Sequence, residues 1–293
     1  MTRSSPRVAP DRSPAERPHT PLVFAHRGGR ALGPENTLAG FDLGIAAGAD
    51  GLELDVHLSA DDVPVVHHDS DLDRCTDATG PLASRTVDEL SRVDAGFRFG
   101  EDAGFPWRGR GVGVPTLSTV LERYRNVPLI IEIKTSSPKA PQAVVDVVRS
   151  AGAIGRVCVG SFNFDTLQAV RRIEPALATS ASRTEGQRAL YRSWCRLGVG
   201  RVPYRAFQVP EQSGRLRVVS PNFIRAAHRA NLAFQVWTVN DEADMRRLLD
   251  WGVDGLISDR PDEAVRVRND WVRTHNPRPS ANAEWPPQKG TTS

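Results

Sequence analysis

Short β-branched runs alternate along most of the chain with segments of helical period. The apolar runs lie at 22–26 (LVFAH), 51–56 (GLELDV), 128–134 (PLIIEIK), 156–161 (RVCVGS), 176–181 (ALATSA), 205–209 (RAFQV), 234–239 (FQVWTV) and 255–258 (GLIS). Helices are expected between them at 36–47, 116–125, 140–151, 163–173, 185–197, 220–230, 241–251 and 262–272, several opened by a cap such as Ser118, Asn163 or Asn240. Strands that alternate with helices make βα units on a parallel sheet, and eight of them predict a closed α/β barrel, the (β/α)8 TIM barrel. A further short strand at 63–67 (VPVVH) and the long segment 69–115 interrupt the second unit as an insertion after the second strand.

The 293 residues are 39% hydrophobic, enough to bury one large barrel. Residues 1–20 and the C-terminal 273–293 are rich in Pro, Arg and Ser without periodicity, so the folded unit is expected at 21–272, flanked by disordered tails. No stretch reaches the roughly 18 apolar residues of a membrane span, and the first twenty carry no apolar core of a leader, which points to a cytoplasmic protein. Cys75, Cys158 and Cys195 stand far apart and read as buried small hydrophobes rather than as a disulfide or zinc framework. The net charge of +3 is dispersed along the chain and accompanies no nucleic-acid motif, so nucleic acid is not an expected partner. Of 38 basic residues only Lys134, Lys139 and Lys289 are lysines, which makes lysine at 134 look like a chemical choice.

Parallel barrels carry their active sites at the C-terminal ends of the strands. Here those ends read His26–Arg27, Glu53 and Asp55, Glu132 and Lys134, Gln208, Trp237 and Asp259. Side chains alternate along a strand, so in GLELDV the carboxylates Glu53 and Asp55 share one face and Leu52, Leu54 and Val56 the other. In LIIEIK the same alternation joins Glu132 to Lys134. Three inward carboxylates repel one another unless a cation neutralises them, and oxygen ligands without cysteine favour one hard divalent ion, Mg2+ or Ca2+. The competing reading pairs them with Arg27 and Lys134 and needs no metal. His26 and His68 close their strands at the same mouth, where two imidazoles can serve as general acid and base, while His67 would point away and Asp69 could orient His68. Arg27 suits bidentate contact with phosphate, and Gly28 and Gly29 allow a tight turn behind it.

In order, the motifs are HRG at 26–28, PENT at 34–37, ELDV at 53–56, HHD at 67–69 and EIK at 132–134, followed by VWTVND at 236–241 and GVDGLISDRP at 252–261. This set resembles the glycerophosphodiester phosphodiesterase family over about 22–265. The resemblance implies a TIM barrel of the phospholipase-C-like phosphodiesterase type that hydrolyses glycerophosphodiesters to glycerol 3-phosphate and an alcohol. It implies that Glu53, Asp55 and Glu132 hold the divalent metal, that His26 and His68 are the acid/base pair, that Arg27 and Lys134 grip the phosphate, and that Trp237 lines the pocket. Glu35 and Asn36 would shape the loop beneath the site, and Thr37 would start the next helix. A barrel that binds without turnover is the alternative class and would be expected to lack one of these groups; an amidohydrolase-type zinc barrel would carry His-x-His where this chain has His26-Arg27-Gly28.

Two segments bear on the substrate. Residues 97–113 are Gly-rich, aromatic and basic, and 185–198 place Arg188, Arg192 and Arg196 at helical spacing with an apolar stripe of Leu190, Trp194 and Leu197. The favoured reading packs that stripe on the core, with small glycerophosphodiesters as substrates. Its alternative sets a basic amphipathic face against anionic lipid, as a peripheral membrane contact, and makes the protein a lysophospholipase D acting on lysophospholipids.

Overall fold

The structure, a computed structural model, describes residues 20–275. The expected tails lie outside the described residues apart from Thr20 and the last turn of the final helix. The elements run β1 (Leu22–His26), α1 (Leu38–Ala46), β2 (Gly51–Leu58), β3 (Pro64–Val66), α2 (Val87–Ser91), α3 (Leu117–Arg123), β4 (Leu129–Ile133), α4 (Ala140–Ser150), β5 (Val157–Gly160), α5 (Phe164–Ile173), β6 (Ala178–Thr179) and α6 (Arg183–Trp194). They continue with β7 (Ala206–Pro210), β8 (Gln212–Ser213), β9 (Leu216–Arg217), α7 (Pro221–Arg229), β10 (Ala233–Trp237), α8 (Glu242–Trp251), β11 (Gly255–Ser258) and α9 (Pro261–His275).

Eight parallel strands form the barrel in the order β6-β5-β4-β2-β1-β11-β10-β7. The first and last strands of the chain are neighbours, with Leu22 opposite Gly255 and Ala25 opposite Ser258. The ring closes between β6 and β7 through one parallel bridge, Ser180 to Ala206. The expected extra strand is present as β3, antiparallel to β2 with Val56 opposite Val66, and the insertion after it packs a small core of its own on Leu72, Leu82 and Leu90.

Alternation decides what each strand buries. Leu52, Leu54 and Val56 of β2 and Ile131 and Ile133 of β4 face outward onto Val144, Val145 and Val148 of α4 and onto other core residues. Phe207, Phe223 and Phe234 anchor the opposite half, packing with ring centroids 4.9–5.8 Å apart. Inside the barrel, Phe24, Ile130 and Ile257 plug the core beneath the mouth.

Most helix starts are as the sequence predicts, with two corrections. Asn163 caps α5 and Thr37 caps α1. The cap of α3 is Thr116 rather than Ser118, which lies inside the first turn and bonds Glu122, and the cap of α8 is Asp241 rather than Asn240. A cap needs extended backbone one residue before the helix, and that residue is set by where the preceding strand end releases the chain. The stripe on α6 also departs from expectation: Leu190 is buried, but Trp194 and Leu197 are 53% and 51% exposed, as is Tyr191 at 53%. Cys158 is buried, whereas Cys75 is half-buried and Cys195 exposed, so the reading of all three as core residues holds for Cys158 alone.

Truncating Phe207 to alanine removes the hub of the aromatic cluster. The expected loss is about 3–5 kcal/mol, the range for deleting a fully buried aromatic ring, read as a lowered urea midpoint. A loss below ~1 kcal/mol would show that the cluster is not what holds this half of the barrel.

Candidate active site

Strand register places the acidic residues. His26 lies opposite Glu53 across β1 and β2, and Asp55 opposite Glu132 across β2 and β4. One oxygen from each of Glu53, Asp55 and Glu132 lies within 4.8 Å of the other two. Lys134 bridges two of them, with Nζ 3.2 Å from Asp55 and 3.0 Å from Glu132, and Arg27 Nε stands 3.3 Å from Asp55.

These cations do not complete the pairing. Glu132 Oε1 is buried without a hydrogen-bond donor, and Arg27 Nε, though close to Asp55, is not aligned to donate to it. Burial, with the charges of Asp55 and Glu132, pushes the Glu53 carboxyl up to about 7. Burial also raises Glu132, with Asp55 adding to it and Lys134 only partly offsetting it. Three crowded carboxylates, one with an orphaned oxygen, offer oxygen donors of the kind a divalent cation takes, so the residues present fit a metal. The metal-free reading explains the bonds of Lys134 but leaves that oxygen without a donor and gives Glu53, among the described residues, no basic side chain nearer than His26 at 3.9 Å.

The loop after β1 is built around the cluster. Arg27 is a non-glycine residue in the left-handed region, at φ 51°, and its N–H donates to Glu53 Oε2 at 3.0 Å. Gly28 follows at φ 88°, and a Cβ there would meet the backbone of Gly40 at 2.8 Å, so the turn needs glycine at that position. Asn36 donates from Nδ2 to Asp55 at 2.9 Å and accepts from the Asp55 N–H. Glu35 accepts from Arg27 at 3.0 Å and takes both arms of Arg74 at 2.9 and 2.7 Å. Despite its burial, the two guanidinium groups hold the Glu35 carboxyl down at about 2.

Each histidine has its own carboxylate partner. His26 Nδ1 lies 2.6 Å from Asp259, which is itself held by Asn240 at 2.8 Å. His68 Nδ1 lies 2.5 Å from Asp69, whose other oxygen accepts from Arg74 at 2.6 Å. With Nδ1 given to a carboxylate, Nε2 of each ring is left for other partners, that of His26 standing 3.9 Å from Glu53 Oε2. Burial lowers His26, but Glu53 and Asp259 outweigh it and the imidazole is raised. Burial lowers His68, and Arg27 and Lys134 reinforce this against Asp55 and Asp69. His67 points away as expected, buried with Nε2 toward the Asp71 carbonyl.

His26, Arg27, Glu53, His68, Glu132, Lys134 and Trp237 all line one cavity of about 570 Å³, while Asp55, 1% exposed, sits behind its wall. The eight residues expected to carry catalysis, metal and substrate contacts therefore lie together at one strand-end cavity, seven lining it and Asp55 behind them. Asp259 was legible only as a polar strand end and Arg74 not at all; the signal for Asp259 was its place at the end of the strand that pairs with β1.

The fold and these groups define a (β/α)8-barrel hydrolase of phosphodiesters. The family model described as "Glycerophosphoryl diester phosphodiesterase family" matches residues 26–263. A glycerophosphodiester phosphodiesterase of Caldanaerobacter subterraneus subsp. tengcongensis is 30% identical over 251 residues, covering 84% of this chain and 97% of that protein. Among solved structures, the glycerophosphoryl diester phosphodiesterase domain of a Mycobacterium tuberculosis protein superposes with a TM-score of 0.75 at 27% identity, covering 85% of this chain and 99% of that one. A glycerophosphodiester phosphodiesterase from Agrobacterium tumefaciens gives a TM-score of 0.69 at 29% identity, covering 84% and 99%. The chain belongs to the glycerophosphoryl diester phosphodiesterase family, and it is an enzyme of that activity. No helix among the described residues is long and apolar enough to cross a membrane.

The Glu35 carboxyl is depressed, so its ion pairs stabilise the fold above the unfolded value near 4.3 and are lost as the pH falls toward about 2. Glu35→Gln should therefore cost stability at neutral pH and flatten the acid limb of stability between roughly pH 5 and 2. Chemical denaturation at several pH values reads both effects, and an acid limb unchanged in the variant would refute them.

Proposed function

We propose that the enzyme hydrolyses small glycerophosphodiesters to glycerol 3-phosphate and the free alcohol, with one divalent cation, Mg2+ or Ca2+, held by Glu53, Asp55 and Glu132. The observation that carries this is the orphaned oxygen of Glu132 within a crowd of three carboxylates that shares its cavity with two histidines. When bound, the cation supplies Lewis-acid stabilisation of charge developing on the phosphoryl oxygens.

Arg27 and Lys134 contribute fixed positive charge at the cavity wall, where a phosphate can take hydrogen bonds from both. His26 and His68 are the acid/base pair. One takes the proton from the attacking hydroxyl, and the other gives a proton to the departing alcohol oxygen. Asp259 and Asp69 fix the tautomer and rotation of the two rings, so that each presents Nε2 to the substrate. Trp237 closes a side of the cavity, its ring edge to face with Phe162 at 6.0 Å, and excludes water beside the phosphate. The same groups serve whether the nucleophile is the glycerol hydroxyl, through a cyclic phosphate that water then opens, or water itself.

Stripping with EDTA should abolish choline and ethanolamine release from glycerophosphocholine and glycerophosphoethanolamine, and Mg2+ or Ca2+ should restore it. His26→Ala should lose ~10²–10⁴-fold in kcat, the range for a general acid or base. Turnover that survives both treatments would overturn the assignment of metal and histidine. Asp259→Asn should lower kcat by at least ~10-fold with KM little changed and displace the pH profile, because it disturbs the tautomer of His26 rather than binding. An equal loss spread into KM would make Asp259 a merely structural residue.

A further inference from the structure

Arg74 belongs to the insertion, outside the barrel strands, yet its side chain returns to the barrel mouth. The backbone on either side of it is fixed. Leu72 is fully buried in the core of the insertion, the buried Thr76 hydroxyl donates to the Leu72 carbonyl at 2.7 Å, and Asp73 accepts from the Gly80 N–H at 2.9 Å. From this turn the guanidinium reaches two carboxylates that come from different parts of the chain. Its Nη atoms donate to Glu35, one to each oxygen, at 2.9 and 2.7 Å, and its Nε donates to Asp69 Oδ2 at 2.6 Å.

The two carboxylates differ in how firmly they are held. The Glu35 side chain is 12% exposed, is tied to Arg27 as well, and lies in the loop behind the acidic cluster, so it is a fixed point. The Asp69 side chain is 29% exposed, and its remaining oxygen meets His68 Nδ1 at 2.5 Å. The basic side chains that pair with Asp69 among the described residues are His68 and Arg74. An aspartate open to water can turn about its own bonds, and the imidazole that it orients would turn with it. A planar fork pinned at both Nη atoms points its Nε in one direction, which removes that freedom. Burial raises the Asp69 carboxyl, but Arg74 and His68 outweigh it and hold it well below the usual carboxylate range, so Asp69 stays charged opposite the ring.

We propose that Arg74 is a positioning residue for the reaction: anchored on Glu35, it fixes Asp69 and, through Asp69, the ring of His68 with Nε2 toward the cavity. The inference rests on the reading of His68 as one of the acid/base pair. Arg74 is not among the residues that line the cavity, so its loss is felt in turnover rather than in binding.

Steady-state kinetics on glycerophosphocholine with the metal-loaded enzyme tests this, with urea midpoints measured alongside. Arg74→Ala should lower kcat ~10–100-fold and move KM less than about threefold, the pattern for an outer partner that orients a reacting group. Ethylguanidinium should restore part of that kcat and ethylammonium should not, because the fork and not the charge alone is what Asp69 needs. Arg74→Lys keeps a charge beside Glu35 but has no fork to hold two carboxylates in one geometry. It should keep the urea midpoint near that of the unsubstituted protein and still lose ~10-fold in kcat. Added to Asp69→Asn, Arg74→Ala should cost little more than either change alone, since both act through the same ring. An unchanged kcat in Arg74→Lys, equal rescue by the two cations, or losses that multiply in the double variant would each overturn the proposal and make Arg74 an ion pair of the fold. Full turnover in His68→Ala would instead bring down the acid/base reading of His68, and the role of Arg74 with it.

Discussion

Three carboxylates held within 4.8 Å of one another are the constraint around which this barrel mouth is organised. Adjacent strands in register place Asp55 opposite Glu132, and alternation turns Glu53 to the same side, so the crowding of the three carboxylates is built into the sheet. The surrounding groups answer that charge. Lys134 spans two carboxylates, Asn36 donates to Asp55, and the left-handed turn at Arg27 aims a backbone N–H at Glu53. A buried charge left uncompensated costs several kcal/mol, which is why the unpartnered Oε1 of Glu132 bears on chemistry rather than on packing.

A second layer of charge sets the two histidines apart from each other. Asp259 holds His26 from the last barrel strand, while Asp69 holds His68 and is itself clamped by Arg74, a residue of the insertion. Arg74 also grips Glu35, and Glu35 grips Arg27, so a continuous chain of ion pairs runs from His68 through the insertion to the loop behind the acidic cluster. The insertion thereby becomes part of the site: without it His68 would lack the arginine that steadies its carboxylate.

The barrel is not uniform around its circumference. Its β1, β2 and β4 side is tightly paired and carries the charged groups, whereas the β6–β7 side is joined by one bridge and borders an α6 that turns one face to the cavity and leaves Tyr191 and Trp194 exposed, with Leu197 just beyond its end. Such a division suits an enzyme whose chemistry is fixed and whose substrate range is set by the loops and helices of one sector.

The sequence by itself determined the eight strands, the helices between them, and the side of β2 and β4 on which the carboxylates lie, because alternation and the helical period are local properties of two to four residues. Its motifs also singled out His26, His68, Glu53, Asp55, Glu132, Arg27, Lys134 and Trp237, which the structure brings together at and behind one cavity. Local pattern was less exact about helix starts, where Thr116 and Asp241 cap in place of Ser118 and Asn240, and it misjudged α6, whose stripe packs at Leu190 and not at Trp194 or Leu197. Only the tertiary structure decided the partners that lie far apart in the chain: Asp259 for His26 across 233 positions, Arg74 for Glu35 across 39, and the seam beside α6. The physical reason is closure. Which side chains meet across a barrel depends on the stagger at which its first and last strands join, and no stretch of sequence carries that stagger alone.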